Sequence, residues 1–561
     1  MKHISLKIVV IALFGLPIQA LKAQVLPVGT PLLEDYYRRE QLLGRVDSTL
    51  SFVIRPLSAQ ALQRTNVFDP DSTLGTASIF YNSDKKGYVQ LLPVNWTGQF
   101  TSAYPYGWND GPMIPSKGFE TMLSAGFFAK YKFISLQFQP EWVSAQNATY
   151  QGYGGESGAS ALWYAEYGNK IDMPELFGRG NYTKFYLGQS SFRLNFNPVS
   201  IGISTENLWW GPGMRNSLLM SNTAPGVPHI SINTIQPIRT WIGSFEAQFI
   251  AGRLDHSGYA PSVQDNIIGE PSPYYNPPKD DWRYLSGMII SYQPKWTPGL
   301  SVGVIRNSIM YHSDMNEFRD YIPFFDKALK SDNINGDSVN REDQIPRDQY
   351  VSLFFRYAVP AAQFEVYGEY GRNDHPWDVQ DLVTQTDHSR AYIVGFRKLV
   401  DLKRESGALL QINGEITTLT TTRTNRIRAL EPWYGHYQVR DGYTNRGQVL
   451  GAGIGPGSNI QSLNVSWIKG FKQLGLQFER LSHNEDFATA STMDYRRYWV
   501  DFGAAAHGQW DYQHWLFFGK LQYMHAFNYQ YQFEDGGSDF WGFGHVDKSN
   551  WQLQLGLSYR F

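Results

Sequence analysis

Cysteine is absent from all 561 residues, so neither a disulfide nor a lipid-modified N-terminal cysteine is open to the mature chain. Net charge is nearly absent as well. The 49 Lys and Arg are offset by 51 Asp and Glu, which leaves no broad basic surface for nucleic acid, and no such partner is expected. No Pro/Ser-rich linker or shift in composition divides the chain, although a soluble protein of this length would be expected to split into several domains. Beyond the N-terminus there is no apolar run of the roughly 18 residues that a spanning helix needs. A chain that crosses a bilayer under these limits does so as strands.

Aromatic residues are abundant: 17 Trp, 35 Tyr and 34 Phe make up 15% of the chain. That exceeds what a compact core requires and suits belts of Trp and Tyr at two membrane interfaces, so a large soluble β-protein is the weaker reading. The final residues carry the pattern openly. Trp551, Leu553, Leu555, Leu557, Tyr559 and the terminal Phe561 alternate with Gln552, Gln554, Gly556, Ser558 and Arg560, and only a strand puts the two sets on opposite faces.

The same alternation recurs upstream. Ile134, Leu136, Phe138 and Trp142 oppose Ser135, Gln137, Gln139 and Glu141. Residues 363–370, 409–416 and 474–479 divide in the same way, and about eighteen such strands follow Gly87. Short turns near Lys132, Pro198, Pro237, Pro298, Pro360, 401–406, 469–473 and 508–512 alternate with long segments such as 144–182, 206–228, 254–282, 308–348, 420–459 and 527–549. The expected fold is therefore all-β: a transmembrane antiparallel barrel with short periplasmic turns and long outer loops, both termini in the periplasm, embedded in outer-membrane lipid as a monomer. The pattern points Glu141, Glu365, Glu369, Glu415, Glu479, Arg193, Arg356, Arg397, Lys520 and Arg560 inward. It predicts a lumen laced with ion pairs, Arg356 beside Glu365 among them, and filled by inward-folded loops.

Two segments precede the barrel, which is assigned to residues 85–561. Residues 1–23 read as a secretory signal, with Lys2 and Lys7 before the short apolar stretch Ile8–Leu16. Residues 24–84 are expected to form a small periplasmic helical element, with one helix opened by Pro31 and a second over Ser58–Arg64.

The densest chemistry lies in the third outer loop. Two adjacent aromatic faces, Trp209 and Trp210, sit among Glu206, Asn207, Ser217, Ser221 and Asn222, and the run Gly211-Pro212-Gly213 forces a sharp turn. That mixture suits sugar rings, which offer C–H faces for stacking and hydroxyls for hydrogen bonds. The residues equally allow the two Trp to belong to the interfacial girdle, with the polar groups tying the loop into the lumen. Both readings stand on the sequence.

Other motifs carry less. Asn333–Asp343 has the alternating oxygens of a calcium loop but departs from the twelve-residue pattern, and no metal ligand is assigned. Ser466 and Lys469, three apart on a strand, point to opposite faces, and Gly451–Gly457 reads as flexible loop backbone. His483, Glu485 and Asp486 are close enough in sequence for a rim hydrolase, with a solvated turn the simpler account. No enzymatic motif is complete and no cofactor is required.

The loop segment, continued by Ala224-Pro225-Gly226-Val227-Pro228-His229, resembles the signature of the Wzi family of capsule-assembly outer-membrane proteins. Arg39-Glu40-Gln41-Leu42-Leu43-Gly44 and Ser51–Leu57 resemble the same family's N-terminal layout. The resemblance implies an occluded barrel of about eighteen strands with a lectin-like role, holding capsular or other polysaccharide at the cell surface. It also implies partners in the polysaccharide export machinery. The alternative is a substrate-specific diffusion channel for oligosaccharides or other solutes, which would need a continuous polar path past Glu206–Asn222.

Overall fold

The computed structural model describes residues 24–74, 79–82, 86–153, 162–261, 274–326, 345–374, 376–403, 407–422, 425, 427–492, 494–534 and 544–561. The signal segment and the 333–343 loop lie outside the described residues. Eighteen strands close one antiparallel barrel. In chain order they are β1 (Gly87–Thr101), β2 (Gly118–Tyr131), β3 (Ile134–Phe138 and Glu141–Ala145), β4 (Tyr182–Tyr186 and Ser191–Phe196), β5 (Val199–Ser204) and β6 (His229–Thr234). There follow β7 (Gly243–Leu254), β8 (Arg283–Pro294), β9 (Leu300–Tyr311), β10 (Arg347–Val359), β11 (Phe364–Arg372) and β12 (Arg390–Lys403). The last six are β13 (Ala408–Thr418), β14 (Asn459–Lys469), β15 (Lys472–Ser482), β16 (Val500–Tyr512), β17 (Trp515–Phe527) and β18 (Lys548–Tyr559). Each pairs with its sequence neighbour, and β18 closes onto β1 from Gln552↔Thr101 to Tyr559↔Val94.

Closure leaves no long unpaired edge, which a sheet of this size in lipid requires. Below the closing ladder the short strand Ile79–Tyr81 pairs with Tyr88–Gln90 and extends the sheet past a bulge between Leu92 and Asn95. The two-residue alternation fixes which face each side chain takes. On β3, Ser135, Gln137 and Glu141 are buried inside while Leu136, Phe138 and Trp142 face out. On β15, Glu479 is buried and Leu476 and Phe478 are exposed. Trp241 and Trp296, the most exposed Trp side chains among the described residues, sit at the turn end, where an indole serves at a membrane interface.

One turn falls later than expected. Residues 508–512 continue β16, and the chain reverses at Gln513 and His514, where Gln513 takes φ 53°. Gln509 is held inside by a bond to the Phe471 carbonyl (2.8 Å), so the ladder runs on through a stretch whose Gly and Asp suggested an end.

The N-terminal segment is not a separate body ahead of the barrel. Helix α1 (Pro31–Leu42) begins with proline at its first turn and carries Glu34 there, as the helix dipole favours. It docks inside the turn end of the barrel. Arg38 pairs with Glu365 of β11 at 3.0 Å, and Arg397 of β12 pairs with Asp35 at 2.5 Å. A small core of Leu33, Tyr36, Tyr37, Leu57, Leu62 and Phe68 packs against Leu92, Phe128 and Phe471. The second helix expected over Ser58–Arg64 is a single hydrogen-bonded turn, Leu62 N–H to Ser58 C=O at 3.0 Å. Ser58 is held in a two-residue ladder with Val25 and Gln63 takes φ 54°, so neither end can extend it.

Candidate functional site

The third outer loop, 205–228, folds down into the lumen as a hairpin. Trp210 N–H donates to Met220 C=O (3.1 Å), Ser217 Oγ donates to Trp210 C=O, and Gly211 takes φ +127° at the bend. At Gly213 a Cβ would lie 1.9 Å from the Asn216 carbonyl oxygen, so the reversal tolerates no side chain there. Trp209 and Trp210 then pair as an antiparallel ladder with Arg55 and Ile54 of the N-terminal segment. Gly211 N–H adds a bond to Val53 C=O (2.9 Å). Chain from the outer side and chain from the inner side thus join across the barrel's interior.

Inward carboxylates hold this hairpin. Glu415 on β13 accepts the backbone N–H groups of Met214 (2.7 Å), Arg215 (3.0 Å) and Asn216 (2.8 Å), together with the Tyr367 hydroxyl (2.8 Å). Glu479 on β15 accepts the Nε–H and Nη2–H of Arg215, at 2.8 and 3.2 Å, and that guanidinium stacks 4.1 Å over Trp108. Glu369 on β11 receives Ser352 Oγ (2.8 Å) and Leu218 N–H (3.4 Å). The Trp210 indole N–H donates to Gln248 of β7 at 2.8 Å.

Every residue singled out in this loop is therefore placed. Glu206 accepts from Ser204 (2.8 Å) and Arg193 (3.2 Å), and Asn207 pairs with Gln189 and with the Ala224 carbonyl. Ser221 bonds to the Gly451 carbonyl, and Asn222 bonds to the Asn109 carbonyl (2.8 Å). Glu206, Asn207, Trp209, Trp210, Gly211, Pro212, Gly213, Ser217, Ser221 and Asn222 are all buried, Trp210 completely. The Trp pair joins neither the lipid girdle nor an exposed stacking platform; in this conformation the segment is the frame of the plug. Gly451 is likewise no flexible stretch: a Cβ there would lie 2.1 Å from the Leu218 carbonyl oxygen, so glycine permits the seventh loop to press on the third.

A polar hollow of about 360 Å³ remains between this plug and the wall, bordered by Glu34, Asp110, Asn464, Lys520 and Gln554. Burial pushes the Glu34 and Asp110 carboxyls above their ordinary range, against the pull of Arg55 on the first and the hydrogen bond from Gln554 on the second.

Above the plug the outer loops close with aromatic packing. Tyr350, Trp433, Tyr434 and Tyr443 pile together over Leu218, whose carbonyl accepts the Tyr434 hydroxyl (2.7 Å). At the surface the second, fourth and seventh loops interlock. Asn169 donates to Tyr274 C=O (3.0 Å) and accepts Asn276 N–H (2.8 Å), and Arg440 donates to Asn276 C=O (2.9 Å). This frame presents the Tyr274 and Tyr437 side chains, 51% and 56% exposed, beside amide and guanidinium groups. Sequence reading passed over this patch because its members lie in three loops and share no spacing.

The hydrolase constellation does not assemble. His483 stacks on Trp499 (3.8 Å) and pairs with Asp501 (3.0 Å), whereas Glu485 accepts from Asn459 and Asp486 accepts from Thr421. Ser466 is buried and bonded to Asn464 (2.7 Å) within β14.

The capsule assembly protein Wzi family model matches residues 106–525. The chain belongs to that family. No curated protein matches it. Among solved structures, the Escherichia coli outer-membrane protein Wzi, a carbohydrate-binding β-barrel involved in group 1 capsule assembly, aligns with a TM-score of 0.60 at 13% identity, covering 96% of this chain and 100% of its own. A BenF-like porin from Pseudomonas fluorescens aligns at 0.36 and 9% identity, covering 84% of this chain and 99% of the porin. Acinetobacter baumannii OccAB1 aligns at 0.37 and 8%, covering 86% and 98%. This Wzi-family chain is an outer-membrane β-barrel, and its turn end faces the periplasm.

Proposed function

We propose that this Wzi-family barrel is a non-conducting, non-enzymatic lectin that binds capsular or other surface polysaccharide at its outer loops and attaches or assembles it at the cell surface. The observation that carries this reading is the ladder of Trp209-Trp210 with Ile54-Arg55, which places paired backbone across the path a solute would take. A diffusion channel needs that path open. What remains accessible to a large polymer is the outer surface, where Tyr274 and Tyr437 offer ring faces with Arg440 and Asn276 alongside. Contacts of this kind are shallow, and a repeating polymer gains strength from them by avidity.

The deciding experiment compares polysaccharide retained and shed by whole cells carrying the wild type, a deletion, or the double variant Tyr274→Ala/Tyr437→Ala. Retention should fall in the deletion and in the double variant, with the double variant still folded as a heat-modifiable barrel. Unchanged retention in the deletion would overturn the lectin reading. Ion conductance by the wild type in a planar bilayer would favour the channel.

A further inference from the structure

The barrel wall is low at one place on its lipid-facing side. β5 runs only six residues, Val199–Ser204, and pairs with the lower half of β4, Ser191–Phe196, while the upper half, Tyr182–Tyr186, pairs with β3. At about 3.3 Å per residue and a tilt of about 40° β5 spans roughly 15 Å, well under the apolar band of about 25 Å. Further round, β7 and β8 have twelve residues each and cross it fully, and β6 with Ile238–Arg239 follows β7 from Gly252 to Ser244. Over β5, toward the outer leaflet, the surface is hollowed into a groove of about 690 Å³. A flat barrel wall in contact with annular lipid makes no such hollow, and this volume lies within the range of small-ligand sites.

The groove is apolar below and cationic above. Phe192, Ile203 and Ile230 point outward along its floor, and Ala251 and Leu187 flank it. At its outer rim Arg253 faces outward from the end of β7, its guanidinium 5.4 Å from the Trp282 ring and 2.8 Å from Asp255. Trp282 is backed by His312 at 4.4 Å. Arg446, reaching over from the seventh loop, takes the other oxygen of the same Asp255 at 3.1 Å. Two guanidinium groups, 57% and 39% exposed, therefore share one carboxylate, and one positive charge is left at the outer rim of the groove. Planar guanidinium groups with spare N–H donors match phosphate oxygens, and an indole braced at the same depth is an interfacial anchor.

We infer that this groove holds one anionic lipid of the outer leaflet, a phosphorylated and multiply acylated glycolipid, with an acyl chain along Ile203 and Ile230 and a phosphate at Arg253 and Arg446. The site lies on the outside of the wall, away from the loop surface offered to polysaccharide, and would tie the barrel to its leaflet where the wall is lowest.

The test is native mass spectrometry of the full-length barrel in mild detergent with a bisphosphorylated hexa-acyl glycolipid as the probe, phosphatidylethanolamine as the zwitterionic comparison and inorganic phosphate as competitor. The wild type should retain one glycolipid through delipidation. Arg253→Glu, which reverses the rim charge, and Ala251→Trp, which fills the groove with the charges intact, should each reduce that retention at least tenfold, both still migrating as folded, heat-modifiable barrels. Millimolar phosphate should not displace the lipid. Equal retention of glycolipid by wild type and both variants, equal retention of phosphatidylethanolamine by the wild type, or displacement by phosphate alone would overturn the inference.

Discussion

Asn216, at the tip of the lumenal hairpin, donates its backbone N–H to the carboxylate of Glu415 at 2.8 Å, and the same carboxylate takes the two preceding N–H groups. One inward side chain of the wall thus satisfies three consecutive backbone donors at the tip of the loop. Each buried donor left unpaired costs roughly 1–3 kcal/mol. Glu415→Ala should therefore lower the apparent unfolding temperature in detergent, by a loss on the order of 4 kcal/mol, and should raise ion conductance in planar bilayers as the hairpin loosens. Glu415→Gln, which keeps one acceptor oxygen, should lie between the two. A plug held by packing alone would leave the conductance of Glu415→Ala at the wild-type level.

The barrel was legible in the sequence because lipid and lumen impose opposite chemistry on alternate residues, and Glu365, Glu479 and Trp551 declare their sides directly. Arg356 and Glu365 do meet, at 2.6 Å, although the register sets Arg356 opposite Tyr367 and the pair bridges diagonally. That inward-folded loops fill the lumen followed from the same alternation; that α1 docks among them did not. A polar lumen accepts a polar, charged helix as readily as water does, so nothing in Arg38-Arg39-Glu40-Gln41 separates a solvated helix from one docked against Glu365. The candidate residues were correctly grouped, since loop 205–228 does bring them together. Their burial could not be read, because Trp and Asn serve equally in a sugar site and in a packed hub.

Glu365 gathers three cations: Arg38 at 3.0 Å, Arg356 at 2.6 Å and Arg397 at 3.5 Å, all of them buried. Removing this anion strands Arg38 and Arg356, while Arg397 keeps Asp35, and breaking a buried pair from one side costs about 3–5 kcal/mol. Glu365→Gln should destabilise the barrel by that order and loosen α1 from the wall, read as faster hydrogen exchange over Pro31–Leu42. The double variant Arg38→Met/Glu365→Gln should exchange more slowly than Glu365→Gln, since it removes one stranded charge. Identical exchange in both would mean that Arg38 does not help to anchor the helix.

Burial raises the Glu175 carboxyl, in the second outer loop, from its ordinary value of about 4.5 to about 8, opposed by the bond from Tyr153 N–H at 3.1 Å. The folded loop then holds a proton that the unfolded chain gives up near pH 4.5, so its stability is full below that pH and falls as pH rises toward 8. Protease cleavage near Tyr153 should accelerate between pH 5 and roughly 8.5. Glu175→Gln, uncharged throughout, should be cleaved slowly at both ends of that range. A wild-type rate that does not change with pH would rule this account out.

Trp210 separates the frame from the contact surface. It is wholly buried, bonded to Gln248 and to Met220, and paired in register with Ile54. Truncating a buried Trp costs about 3–5 kcal/mol. Trp210→Ala should lower the unfolding temperature clearly, and Trp210→Phe should do so less while leaving the Gln248 oxygen without its donor. If the segment is framework, polysaccharide bound per folded molecule should stay within about twofold of wild type in Trp210→Phe, and should drop in Tyr274→Ala/Tyr437→Ala at unchanged stability, a difference of about 0.4 kcal/mol or less for the first. A loss of binding in Trp210→Phe with an intact unfolding temperature would return the indole to the ligand and require the hairpin to swing out of the lumen to meet it.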